Sequence, residues 1–167
     1  LPCLQEIDLT NTVWDDDFSS TSFPCSDCLE KLTWNRLDDD HGYGLGGISL
    51  KKRIPNIKNI KDISMDDYTS YTIDQDSLDS LLNLDQVSKK RHTIFSRLRS
   101  AKKLERLSIL NLKLCYRGEM HFFPQEALIK FVRNTLPPSV GWLRSDLSKA
   151  NIDMLQLEYP NIEFVGS

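Results

Sequence analysis

Residues 102–114 read KKLERLSILNLKL, and the spacing of Leu104, Leu107 and Ile109 within them decides the fold. This L-x-x-L-x-L pattern describes a turn running into a short strand. Alternate strand positions share a core, and the residues between them face outward. With any large apolar residue allowed, the pattern recurs as Leu4, Ile7 and Leu9 in LQEIDLTN, as Leu29, Leu32 and Trp34 in LEKLTWNR, and as Ile60, Ile63 and Met65 in IKDISMDD. A degenerate fifth copy begins at Val140. Val140 and Leu143 fit there, and Ser145 takes the third apolar place in VGWLRSDL. Asn111 stands one residue from the asparagine that such a pattern favours.

The copies start near 4, 29, 60, 104 and 140, so the gaps are 25, 31, 44 and 36 residues. Regular repeats of this kind span roughly 20 to 29 residues. Only the first gap is regular, and the excess is expected as loops or helices on the outer face. The longest candidate insertion runs from about Asp66 to Arg91. We read the whole chain, 1–167, as a single α/β domain: a solenoid with a curved parallel sheet, helices or loops on its convex side, and a C-terminal cap over about 148–167. The sequence begins at Leu1 without a Met, close to the first copy, which is compatible with a fragment lacking upstream repeats.

Helical patterns fall between the strands. Gln125 to Asn134 places Leu128, Phe131 and Val132 on one face and follows Pro124, a favourable start. Ser148 suits the N-cap of a helix whose Ile152 and Leu155 share a face, ended by Pro160 before a final strand, IEFV. Ser77 to Val87 and Thr93 to Lys102 are further helix candidates. Pro55, Pro137 and Pro138 stand shortly before the third and fifth strands, where the chain should change direction.

Composition agrees with a folded chain. Hydrophobic residues make up 40% and charged residues 27% of the 167, which separates the sequence from disordered and collagen-like classes. No apolar run approaches the ~18 residues of a membrane span. The net charge of −3 hides an uneven distribution, with Asp15–Asp17 and Asp38–Asp40 acidic and Lys89–Arg106 basic. Four cysteines are too few for a disulfide-stapled scaffold, and no Asn-x-Ser/Thr sequon occurs. Both observations lean towards an intracellular chain, in cytoplasm or nucleus.

On CLEKLTWNRL and KKLERLSILNLKL the chain resembles the leucine-rich repeat family, especially its irregular F-box-associated and ribonuclease-inhibitor-like members. The segment FVRNTLPPSVGWLRSDLSKANIDMLQLEYPNIEFV is similar to a segment that closes such arrays. The resemblance implies a non-catalytic protein–protein interaction module that takes a protein or peptide partner on its concave sheet. It also implies an alternative, the substrate-recognition part of an F-box-type ubiquitin ligase adaptor with its adaptor-binding box upstream. In the repeat register the outward residues are Glu6, Asp8 and Thr10; Lys31, Thr33 and Asn35; Asp62, Ser64 and Asp66; Arg106, Ser108 and Leu110; and Trp142, Arg144 and Asp146. Of these, Asp8, Thr10, Thr33, Asn35, Ser64, Arg106, Ser108, Trp142 and Arg144 form the candidate partner-binding set. Trp142 and Arg144 lead it, because aromatic and arginine side chains supply a disproportionate share of interface energy. Packing of Trp142 into the capping layer is the competing reading.

Other motifs carry less. Cys25-Ser-Asp-Cys28 matches C-x-x-C, yet Cys3 and His41, which could complete a zinc site, stand at no familiar finger spacing. A small metal-binding or enzymatic α/β domain is the reading that site would support. Gly42 to Gly47 spells G-x-G-x-x-G, but it follows an acidic loop rather than an apolar strand, and Pro55 cuts short any helix after it. Asp38–Asp40 lacks the alternating ligand spacing of a calcium loop. The basic run Lys89 to Lys103 is compatible with phosphate contacts, an anionic partner or a nuclear address. It is equally the solvated face of a helix, so nucleic acid is not the partner this pattern favours. His41, His92 and His121 stand in unrelated contexts, and no catalytic pairing or cofactor motif emerges.

Overall fold

The structure is a computed structural model, described here for residues 3–10, 28–33, 35, 59–67, 69–72, 98–99, 101–116 and 119–167. Its main element is a six-stranded sheet, entirely parallel among its described pairs. In spatial order the strands are β1 (Glu6–Asp8), β2 (Lys31–Thr33), β3 (Asp62–Ser64), β5 (Arg106–Ile109), β8 (Trp142–Ser145) and β9 (Glu163–Val165). The first five are the five sequence copies. They pair without slippage although the gaps between them differ, so Ile7, Leu32, Ile63, Leu107, Leu143 and Phe164 lie in one cross-strand row.

That row is where the core sits. Leu32, Ile63, Leu107 and Leu143 are buried, as are the first residues of copies two to five: Leu29, Ile60, Leu104 and Val140. The third position is filled by Leu9, Met65, Ile109 and Ser145, all buried. A serine thus occupies an apolar place without leaving the interior. Ile7 and Phe164, at the two sheet edges, are only partly buried because each has a neighbouring strand on one side.

The backbone repeats with the side chains. The carbonyl one residue into each copy accepts two consecutive N–H groups of the next. Gln5 O takes Glu30 N and Lys31 N at 2.8 and 3.0 Å; Glu30 O takes Lys61 N and Asp62 N at 2.7 and 3.0 Å. Lys61 O takes Glu105 N and Arg106 N at 2.8 and 2.9 Å; Glu105 O takes Gly141 N and Trp142 N at 2.9 and 3.1 Å. A strand entered from a turn would leave these donors unpaired, and each copy satisfies them for its successor.

Copies three and four then share a corner that the sequence reading did not foresee. Asp67 and Asn111 occupy equivalent positions with φ of 60° and 53°, a left-handed geometry that Asp and Asn tolerate best among residues with a Cβ. Beyond each corner the chain forms a second strand, β4 (Thr69–Thr72) or β6 (Lys113–Tyr116), rather than the expected loop or helix. Their residues, TSYT and KLCY, include the β-branched and aromatic types that favour strands. These two pair in parallel, and β7 (Glu119–Phe122) adds antiparallel to β6 to complete a three-stranded sheet. The expected insertion of about 66–91 therefore begins with an ordered corner and strand.

Two helices follow the expected boundaries. α1 (Gln125–Asn134) buries Ala127, Leu128, Phe131 and Val132, carries Glu126 in its first turn and Arg133 in its last, and adds a Glu126–Lys130 pair at 3.3 Å. Both charges complement the helix dipole. α2 (Lys149–Glu158) starts at Ser148, whose Oγ accepts from Asn151 N at 3.4 Å, and it buries Leu155. Arg133 donates to both carboxylate oxygens of Glu158, at 2.9 and 2.5 Å, joining the helices. This hydrogen-bonded pairing lowers the Glu158 pKa and raises that of Arg133. The helix expected over Ser77 to Val87 and the G-x-G-x-x-G stretch lie outside the described residues. Of the Thr93 to Lys102 candidate, only Leu98, Arg99, Ala101 and Lys102 are described. No helix among the described residues is long and apolar enough to cross a membrane.

Candidate functional site: the open face of the parallel sheet

Opposite the core row, each strand presents its first and third residues. The first row reads Glu6, Lys31, Asp62, Arg106, Trp142 and Glu163, and the second reads Asp8, Thr33, Ser64, Ser108, Arg144 and Val165. Charge alternates along the first row, so its neighbours attract. Lys31 Nζ lies 2.5 Å from Glu6, and Arg106 Nε lies 3.8 Å from Asp62. The hydrogen bond from Lys31 to Glu6 raises the lysine pKa. Just before the strands, Lys61 donates to Glu30 at 2.9 Å and its pKa rises for the same reason. Water screens such exposed pairs, so they add little to stability. At the far end the Arg106 guanidinium stacks over the Trp142 ring, 4.1 Å from its centroid. Trp142 is half-buried on this face rather than packed into the core.

A third row, at the strand ends, is built for cohesion. Asn35 Oδ1 accepts from Ser64 Oγ at 2.9 Å and from Asp66 N at 3.0 Å. One copy later, Asp66 Oδ1 accepts from Ser108 Oγ at 2.7 Å and from Leu110 N at 2.8 Å. The same pair of donors, a strand hydroxyl and the N–H two residues on, is thus met twice by a side chain from the preceding copy. Leu110 cannot continue the relay. Instead Asp146 reaches back, its Oδ2 accepting from Asn111 N at 2.6 Å, with Leu112 N a second donor to its carboxylate. Burial outweighs these bonds and raises the Asp146 pKa, assisted by the negative charges of Asp66 and Asp67.

The nine candidate residues therefore divide. Asn35, Ser64 and Ser108 are committed to the relay, and Ser108 is only 7% exposed. Asp8 is exposed and accepts from Thr10 N at 2.8 Å; bonding to the Thr10 side chain and backbone lowers its pKa. Thr10 and Thr33 are half-buried. Arg106, Trp142 and Arg144 come together on neighbouring strands, and Arg144 Nη1 lies 3.9 Å from Asp66 Oδ2. The spacing of the copies predicted that these residues share a face. The stacking of Arg106 on Trp142 could have been anticipated by aligning copies four and five. The acceptor role of Asp66 was harder to see, because it depends on which way the strand-end side chain turns.

Cys3 and Cys28, each one residue before a copy start, are joined by a disulfide with their Cα atoms 5.6 Å apart. The register that pairs β1 with β2 brings them together, and the bond staples the first two copies. Neither sulfur is then a thiolate, and Cys25 and His41, the other members of the conceivable zinc site, lie outside the described residues. Among the described residues no three or more His, Cys, Asp or Glu side chains cluster as a metal site.

No family model, curated protein or solved structure matches the chain.

Proposed function

We propose that this chain is a non-catalytic protein-binding module, a leucine-rich-repeat-like solenoid that recognises a protein or peptide partner on the open face of its six-stranded sheet. The observation that carries the reading is the constant register. Five copies separated by unequal stretches of sequence place the same two positions on one face, all but Ser108 at least partly exposed, and the residues there vary while those between them stay apolar. A sheet kept in register by core leucines and a strand-end relay is a rigid platform, and rigidity lowers the ordering cost of association. The cluster of Arg106, Trp142 and Arg144 has the residue types that dominate interface energies.

The reading is tested by panning a displayed random-peptide library against the intact chain and scanning the selected binders with W142A, R144A, T33A and, as a control on α2, L157A. Loss of binding of about tenfold or more for W142A and R144A, with L157A unchanged, is expected. Binders indifferent to every open-face substitution would refute it.

A further inference from the structure

Resting on the open-face reading, we infer that the end of the sheet formed by β5 and β8 takes an acidic peptide segment, with a partner carboxylate bridging Arg106 and Arg144 beside the Trp142 ring.

The two arginines occupy diagonal positions on adjacent strands, since Arg106 is registered with Trp142 and Ser108 with Arg144. Long side chains in that relation can reach a common point above the sheet. Their intramolecular carboxylates are close but do not satisfy them. Arg106 lies 3.8 Å from Asp62 and Arg144 3.9 Å from Asp66, beyond hydrogen-bond length. Among the described residues neither guanidinium donates a hydrogen bond, so both forks retain the geometry that binds carboxylates in bidentate fashion.

The cations also stand in front of the anions. Arg106 and Arg144 side chains are 51% and 44% exposed, against 34% for Asp62 and 14% for Asp66. At these two pairs the guanidinium stands further out than its carboxylate, and the exposed Glu163 of β9, in register with Trp142, bounds the site on its outer side. The other end of the sheet has the opposite character: Glu6 is 59% exposed, Asp8 is exposed, and Lys31 is tied to Glu6. Charge complementarity therefore places the acidic part of a partner over β5 and β8. Trp142, half-buried and capped by the Arg106 guanidinium, adds an aromatic surface beside the two cations.

The probe is fluorescein-labelled hexaglutamate, followed by anisotropy with the full chain, with hexaglutamine and hexalysine as comparisons. Hexaglutamate should bind in preference to both, more weakly as salt rises. R106Q and R144Q should each weaken it by about tenfold, and K149Q, on α2, should not. A second measurement needs no variant: hexaglutamate should shield Arg106 and Arg144 of the native chain from phenylglyoxal, read by mass spectrometry. Equal binding of hexaglutamine, or undiminished binding to the R106Q/R144Q double variant together with no shielding, overturns the inference. If library peptides require Trp142 while hexaglutamate fails either test, the acidic-ligand inference falls and the open-face reading stands. If no peptide depends on the open face, both fall.

Discussion

Asp146 shows how one side chain can be costly and necessary at once. Its carboxylate caps the N–H groups of Asn111 and Leu112 at the corner after β5, yet burial raises its pKa. A folded-state pKa above the ordinary 3.8 means that protonation favours the folded chain. That contribution is fully present below the unfolded value and is lost as pH rises through the folded one, so at neutral pH the charge itself is a burden. D146N keeps an acceptor and removes the charge, and it should melt at or above the native temperature at neutral pH, with the advantage vanishing below about pH 3.8. D146A strands two donors and should cost about 1–3 kcal/mol at any pH. Thermal melts of both variants across pH check this; an equal loss in D146N and D146A would show that the charge, not the acceptor, is what the corner needs. Asp67 and Asn111 belong to the same scale. Their left-handed geometry was not legible in the sequence, because Asp and Asn suit turns, caps and surfaces alike.

At the scale of elements, the strands were legible and their companions were not. Apolar residues at fixed spacing, three in each of the first four copies and two in the fifth, located β1, β2, β3, β5 and β8, since a buried row repeating with the pleat has little freedom of register. α1 and α2 were legible through the apolar face of one and the serine cap of the other. β4, β6 and β7 were missed because four-residue stretches are too short to tell from loop, even where EMHF of β7 alternates, and what specifies them is pairing across the corner. Depth within the sheet should govern the response to truncation. Leu107 lies in the interior strand β5 with no exposure, whereas Ile7 lies in edge strand β1 and is partly buried. L107A is expected to lose about 3–4 kcal/mol and I7A about 1–2 kcal/mol in denaturant titrations. Equal losses would mean that β1 is more deeply enclosed than its position implies. The Cys3–Cys28 bond ties edge strand β1 to its neighbour β2.

For the whole molecule, the parallel sheet was legible because the copies repeat, and the face was legible because the pleat divides each copy into buried and presented residues. What the face does energetically was only half legible. The nine candidates could not be separated by sequence into Asn35, Ser64 and Ser108, which hydrogen-bond between copies, and Arg106, Trp142 and Arg144, which we propose for a partner. That distinction depends on which polar groups find each other across copies, a property of three-dimensional register. The account therefore assigns cohesion and recognition to adjoining rows of one sheet. Amide chemical-shift mapping of the chain, titrated with the tightest library-selected peptide, tests that assignment most directly. It predicts the largest shifts over 62–64, 106–108 and 142–144, with α1, α2 and 119–122 unmoved; shifts centred on the helices or on β7, with the open face silent, would contradict it.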